Sequence, residues 1–464
     1  MAEGGIRMSG EAAERETRRL AFRRARRLGA LDLPAVLILV LGLATAIGIV
    51  VLAIPNTFDL DGLLILLSRP QPDMTTLMTP FHEHWNLVPI LIWQVLRATL
   101  GIASYTPFIA VLAISHAVLA AATYWFLRSP LGSIGALAVA VPLMLIGSAS
   151  YDLVAAWQIL FTFSLLGVLL AAAAARPASR TNPLRLLTVA GLTFAVMSSN
   201  VGVYGGLLLA MWMLMTGRRR QVAELVIPMV IYAGWFLAYG RTGIDYDANA
   251  LDIRAFASMV PFTVTGVTTA VGGLVGLGPE VGTVLVVVGA IEVYRRRASL
   301  PLSFVAAAIA VVAMFASAAL FRSYGGTMNN LAADNRYWYI VAFLAAFAIG
   351  LSGRTWRVSG RPVGIAVAVL VVLNAMAFSG GYLTYRDYST RVRIDFSVFE
   401  TVRTDPNLNP DAWILADMRG TVRQYIDLTE VAGRPRGLDL SAIPLDDTAA
   451  QTEIAESRAR FLTR

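Results

Sequence analysis

The sequence predicts an all-α polytopic membrane protein of about eleven transmembrane helices, and three observations carry that prediction. Hydrophobic residues make up 57% of the chain and charged residues only 15%, where soluble domains carry about 25% charge. Mean hydropathy is +0.64 over 464 residues, so apolar stretches of about 20 residues recur often enough to cross a bilayer many times. All 38 basic residues are arginines, since the chain contains no Lys, and they cluster beside apolar segments as topology signals do. The formal charge of +8 therefore points to a membrane surface, not to nucleic acid. The absence of Cys excludes disulfides, thiolate metal sites and thiol nucleophiles. An all-Arg composition rich in Ala, Val and Gly points to a GC-rich bacterial genome.

Residues 1–32 are polar and Arg-rich, with Arg18, Arg19, Arg23, Arg24, Arg26 and Arg27 in one run. That basic region is too long for a cleavable signal peptide, so Leu33 to Ile54 reads as a retained first span with its N-terminus cytoplasmic. Further spans are predicted at 105–127, 131–149, 153–175, 186–199, 201–217, 223–240, 280–294, 302–320, 337–353 and 362–380. Two apolar stretches, 87–104 and 256–278, are read as helices lying on or dipping into the outer face. With that choice Arg128, Arg176, Arg218 to Arg220, Arg295 to Arg297 and Arg354 all fall in cytoplasmic loops, as the positive-inside rule asks. The transmembrane domain then covers 33–380. The acidic residues Asp59, Asp61, Asp73, Glu83, Asp152 and Asp334 fall on the other side, so any acid–base or metal chemistry is expected at the outer membrane–water boundary.

Two further features bear on the site. Residues 186–217 make two crossings with only Ser198, Ser199 and Asn200 to turn on. Such a turn lies at or below the interface, where its backbone needs a cavity or protein partners. From Gly381 the chain becomes charged and Pro-containing, and 412–416 reads as a buried strand. Residues 381–464 are therefore expected to form a small α/β extracytoplasmic domain. There is no internal repeat.

The first outer loop, 55–86, holds the densest group of reactive side chains. It contains Asp59-Leu60-Asp61 and Phe81-His82-Glu83-His84-Trp85. An Asp-x-Asp pair can bind a divalent cation such as Mg or Mn through hard oxygen ligands, or supply a general base toward a hydroxyl. His82 and His84 can add metal ligands, a proton relay or phosphate contacts; the structural alternative for His84 is a hydrogen-bonded interfacial ring stacked on Trp85. Short acidic pairs also cap helices and make turns. Asp152, with Trp157 and Gln158, opens the span at 153 as a cavity-lining group or as an N-cap. His116 is an ionisable group mid-span or a neutral ring bonded to a neighbouring helix. Tyr204, Asn329 and Asn330 are outer-side hydroxyl and amide groups suited to sugar contacts.

This arrangement resembles the C-type fold of membrane glycosyltransferases. An acidic motif follows span one in a long outer loop, then a His-containing element ending in Trp85, then an amphipathic helix. Asp334-Asn335-Arg336-Tyr337-Trp338-Tyr339 is similar to the Arg-Tyr element at the outer start of a late span in such enzymes. The resemblance covers roughly 30–380 in architecture and leaves the tail aside. It implies an inverting transferase in the plasma (inner) membrane that takes a sugar from a polyprenyl-phosphate donor. The acceptor would be an envelope glycan, lipid or protein. It also implies that Asp59 or Asp61 is the base, Asp59 being nearer the end of span one. The family often has adjacent acidic residues, whereas Leu60 separates them here. The resemblance further implies donor-phosphate contacts from Arg336, Tyr337, Arg322 and His84, and substrate contacts from His82, Glu83, Trp85, Asp152 and Gln158. A transporter or flippase of lipid-linked glycans, or a polymerase or ligase of them, are the alternatives. Transporters usually carry repeat symmetry and midplane polar groups, and here His116 is nearly alone.

Overall fold

In the computed structural model, the structure describes residues 32–58, 60–69, 73–81, 84–177, 181–243, 253–322, 334–356, 360–415, 421–435 and 448–462. Among them the architecture is helical, and the only pairings of extended backbone are two isolated bridges, Phe81 with His84 and Trp413 with Thr421. Six helical stretches are long and apolar enough to cross a bilayer: Leu33–Ala53, Thr106–Val154, Ala156–Ala175, Arg219–Ala238, Leu302–Leu320 and Gly360–Val402. Met259–Leu274 and Pro279–Arg295, bent by 99° at their junction, make a seventh if taken as one span. Leu87–Leu100, Val201–Met215 and Asn335–Leu351 are shorter apolar helices. Protein buries only 22% of the most apolar window of Leu33–Ala53 and 17% of that of Arg219–Ala238. Apolar faces left so bare suit lipid, not water. By length and composition, then, this is a multi-pass membrane protein with six or seven candidate spans.

Thr106–Met144 is continuous in its hydrogen bonding over 39 residues, about 58 Å at 1.5 Å per residue and nearly twice a hydrocarbon core of roughly 30 Å. It does not run straight. At Gly132 the backbone turns to φ 69°, a conformation open to glycine without a Cβ penalty. The arms then fold together: His116 Nε2 bonds the Met144 carbonyl at 3.0 Å, although a straight helix would separate them by about 42 Å. The bend falls between the segments read from sequence as spans 105–127 and 131–149.

The arginine-bearing turns gather at one end of the bundle. Arg128 pairs with Asp32 at 2.5 Å. Arg176 Nη1 donates to the Phe126 carbonyl, Arg218 Nη1 donates to the carbonyls of Ala175 and Arg176, and Trp356 N–H donates to Pro130 O. Arg218, Leu300 and Arg354 share one depression.

At the opposite end the chain unwinds between Leu145 and Gln158. It passes through a 3-10 turn at Gly147–Ala149, a short helix Ser150–Val154 and a second 3-10 turn at Ala156–Gln158. Side chains from elsewhere complete its backbone hydrogen bonds. Tyr105 Oη accepts from Ala156 N–H at 2.6 Å and donates to Val154 O at 3.1 Å. Asn374 Oδ1 accepts from Ser148 N–H at 3.5 Å. Gly147 lies so close to the Asn374 carbonyl that no Cβ fits between them.

The last long helix, Gly360–Val402, has 43 residues and crosses the expected boundary at 380/381 without a break. Beyond it Val422–Ala432 and Thr448–Leu462 pack back on Phe396 and Phe399 through Tyr425 and Phe461. Asp395 receives hydrogen bonds from Ser457 and Arg460. The strand expected at 412–416 is not formed: through Leu415 the segment is irregular, and Trp413 contributes only its bridge to Thr421. Ala416 lies outside the described residues. An extended pair needs alternating partners on both sides, and here a single bridge is made before the chain enters the helix capped by Thr421.

Two glycine substitutions test this packing. Gly147→Ala is expected to destabilise by about 1–3 kcal/mol through overpacking against Asn374. Gly132→Ala is expected to cost about 1–2 kcal/mol through its backbone conformation. Gly48, with no atom within 4 Å of a would-be Cβ, serves as the control. Thermal unfolding of the detergent-purified protein measures all three, and a Gly147→Ala midpoint equal to that of Gly48→Ala would contradict the helix contact.

Candidate functional site

The first loop is anchored from several sides. Its helix Leu60–Ser68 ends beside the buried Arg69, which donates to the carbonyls of Thr76 and Pro80 at 3.1 and 2.9 Å. Gln94 Nε2 donates to the Arg69 carbonyl at 2.6 Å. Thr76 N–H donates to Asp73 Oδ1 at 2.6 Å, holding that exposed carboxyl below its usual range. Phe58 is buried edge-on against Trp93, Tyr105 and Phe108. Thr57 N–H donates to Ser389 Oγ at 3.0 Å, and Arg393 Nη1 donates to Pro55 O at 3.1 Å. The loop therefore rests on the extension of the last helix. That contact brings tail residues to the site.

Between the unwound segment, the start of Asn335–Leu351 and this extension lies a cavity of about 710 Å³. Tyr151, Asp334, Arg336, Tyr385, Tyr388 and Arg391 are among its walls. Arg336 pairs with Asp334 at 2.5 Å, and Asp334 Oδ1 also accepts the Arg336 N–H at 3.2 Å, capping the helix. Arg336 borders a second, narrow cavity of about 20 Å³ with His84, Asn200 and Tyr204, room for about one water. Asp152 is 1% exposed and neither carboxylate oxygen has a hydrogen-bond partner among the described residues. It lies within the field of Asp334 and Arg336. Burying a carboxylate without hydrogen bonds is costly, and among the described residues the ion-pair partner of Arg336 is Asp334, not Asp152. The Arg336 Nε is buried and lacks a hydrogen-bond partner among the described residues, while the residue borders both cavities.

Behind Asp152 runs a buried chain of polar side chains. A carbonyl only accepts, so His116 Nε2 donates to Met144 O at 3.0 Å and Nδ1 must accept from Tyr339 Oη at 2.9 Å. Thr162 Oγ1 then donates to Tyr339 at 3.2 Å. Both ring nitrogens are engaged, one closing the two arms of Thr106–Met144 and one joining them to Asn335–Leu351, so His116 acts as a structural group.

Several expected residues meet. His84, Arg336 and Tyr337 border the narrow cavity, and Asp152 stands in the field of Arg336. Ser199, in the buried turn between Asn182–Ser198 and Val201–Met215, hydrogen-bonds His84 Nδ1 at 3.1 Å. His84 is not stacked on Trp85: its ring meets Phe161 edge-on at 5.7 Å, and Trp85 stacks on Trp235 at 5.2 Å. Asp152 is not an N-cap, since it sits inside Ser150–Val154 and bonds no backbone N–H. Gln158 is buried in its 3-10 turn and borders neither cavity. Asp59, His82, Glu83, Asn329 and Asn330 lie outside the described residues. Asp61 belongs to the helix Leu60–Ser68, and Arg322 closes Leu302–Arg322. Among the described residues no group of three or more His, Asp or Glu gathers as a metal site.

Sequence reasoning missed Tyr151, Tyr385, Tyr388 and Arg391. The signal was present: Tyr382, Tyr385, Tyr388 and Arg391 recur every third residue, a spacing that keeps neighbours on one side of a helix.

Replacing Arg336 by Met leaves Asp334 without its cation and is expected to cost about 3–5 kcal/mol of stability. Adding Asp334→Asn to Arg336→Met is expected to recover part of that loss. Thermal unfolding of the four proteins of the double-mutant cycle measures the coupling, and strictly additive effects would rule it out. In comparison with known proteins, no family model, no curated protein and no solved structure matches this chain.

Proposed function

We propose that this chain is an integral-membrane glycosyltransferase that moves a sugar from a polyprenyl-phosphate donor to an envelope glycan, glycolipid or protein acceptor. The observation that carries this reading is Arg336: a guanidinium paired with Asp334 on the wall of a cavity of about 710 Å³. That volume lies in the range of small-molecule sites, roughly 300–1,000 Å³. An amphiphilic donor suits it. A prenyl chain stays in the lipid, its phosphate accepts from Arg336, and a sugar ring lies against Tyr151, Tyr385 and Tyr388.

In this reading the acceptor hydroxyl oxygen attacks the anomeric carbon while the bond from that carbon to the phosphate oxygen breaks. Asp59 or Asp61 takes the hydroxyl proton as general base. Attack opposite the departing phosphate inverts the anomeric centre. Arg336 stabilises the charge that builds on the leaving phosphate, and Asp334 orients the guanidinium. The finer topology belongs to the same proposal. Eleven crossings, a cytoplasmic N-terminus and an extracytoplasmic tail in the plasma (inner) membrane are supported by the gathering of arginine-bearing turns at the end opposite this cavity.

In vesicles loaded with a polyprenyl-phosphate sugar, Asp59→Asn combined with Asp61→Asn is expected to lower turnover by about 10²–10⁴-fold with an unchanged unfolding midpoint. Arg336→Lys keeps the charge but loses the planar donor set, and is expected to lower turnover as well. The envelope glycans of a deletion strain, complemented with wild type or with the double carboxamide variant, identify the product. Full restoration by the carboxamide variant would overturn the base assignment.

A further inference from the structure

A second sizeable cavity lies away from the site just described, at the arginine-rich end. It is a groove of about 800 Å³ on the flank of the bundle. One wall is the arm of Thr106–Met144 that carries Trp125 and Phe126. Another is Ile159–Ala175 with Leu170 and Ala173, and Phe194 of Asn182–Ser198 closes it. These walls are open to the side: Trp125, Leu170 and Phe194 remain 42%, 43% and 37% exposed. From Leu166 to Arg176 the groove follows ten residues of helix, about 15 Å, half of a hydrocarbon core of roughly 30 Å. That is the depth of one leaflet.

Arg176 is the one charged side chain on its walls, and it stands at the end where the helix Ile159–Ala175 stops. Its Nη1 donates to Phe126 O at 2.8 Å, and its guanidinium lies 5.2 Å from the Phe126 ring centre. Nearby arginines have acidic partners: Arg128 has Asp32 and Arg185 has Glu224. Arg176 has no carboxylate partner among the described residues, and Arg218 reaches the carbonyls of Ala175 and Arg176 beside it. Positive charge at the mouth of a leaflet-deep apolar groove complements one kind of molecule. We infer that this groove binds an acidic phospholipid of the surrounding bilayer, one acyl chain along Leu170 and Ala173 and the phosphate against Arg176.

Native mass spectrometry of the full chain, released from nanodiscs of one part phosphatidylglycerol to four parts phosphatidylcholine, tests this. Wild type is expected to retain phosphatidylglycerol about five-fold above its share of the bilayer, the preference expected of a single arginine near a lipid surface. Arg176→Gln is expected to return the retained lipids to bilayer proportions, and Arg176→Lys to keep the enrichment. Ala173→Trp fills the exposed groove wall while leaving Arg176 in place, and is expected to reduce the retention of both lipids. Bilayer proportions in wild type would overturn the inference. So would undiminished enrichment in Arg176→Gln, or undiminished retention in Ala173→Trp.

Discussion

Backbone amides in an apolar setting must find hydrogen-bond partners, and the unwound stretch from Leu145 to Gln158 meets that demand with borrowed side chains. His116 caps the carbonyl of Met144, Asn374 receives Ser148 N–H, and Tyr105 serves both Val154 and Ala156. Tyr105, the N-cap residue, and His116 belong to the first arm of Thr106–Met144 and Asn374 to the last long helix, so the break ties those two elements together. It also sets the site. Without it a straight helix would carry Tyr151 and Asp152 past the start of Asn335–Leu351. With it, Tyr151 borders the cavity and Asp152 faces the charges of Arg336 and Asp334.

The charges around that cavity come from distant parts of the sequence: Asp334 and Arg336 from the start of one helix, and Arg391 from the last long helix. The attraction inside such a group is large but so is the cost of taking it from water. Its geometry therefore matters more than its net contribution to stability. Arg336 already has Asp334 at 2.5 Å, so a bound phosphate must share the guanidinium with that carboxylate. The planar fork of arginine can serve both at once.

Hydropathy made the multi-pass character legible because lipid imposes a length and a composition on anything that crosses it. The turn at Ser198 to Asn200 was legible as the polar break between two apolar stretches. Within the site, the Asp334 to Tyr339 element was readable as polar residues at a span edge, and Arg336 does reach the cavity. The role of Asp152 was not readable. Its sequence neighbours suit a helix cap, and the charges that act on it, Asp334 and Arg336, lie on another helix. The tail wall was hidden by Gly380-Gly381, which looks like the end of a span. Gly381 instead lies so close to Ser150 Oγ that no side chain fits, and the helix continues through it. A glycine required for close approach and a glycine that ends a helix look alike in one sequence.

The length of Gly360–Val402 has a mechanical consequence. Its 43 residues extend about 65 Å, roughly twice the hydrocarbon thickness, with no proline after its first turn to bend it. Asn374, which steadies the unwound segment, Tyr385, which borders the cavity, and Phe399, on which the tail packs, are fixed points along one rod. Because one helix carries all three, the unwound segment, the cavity wall and the appendage keep a single register along its length.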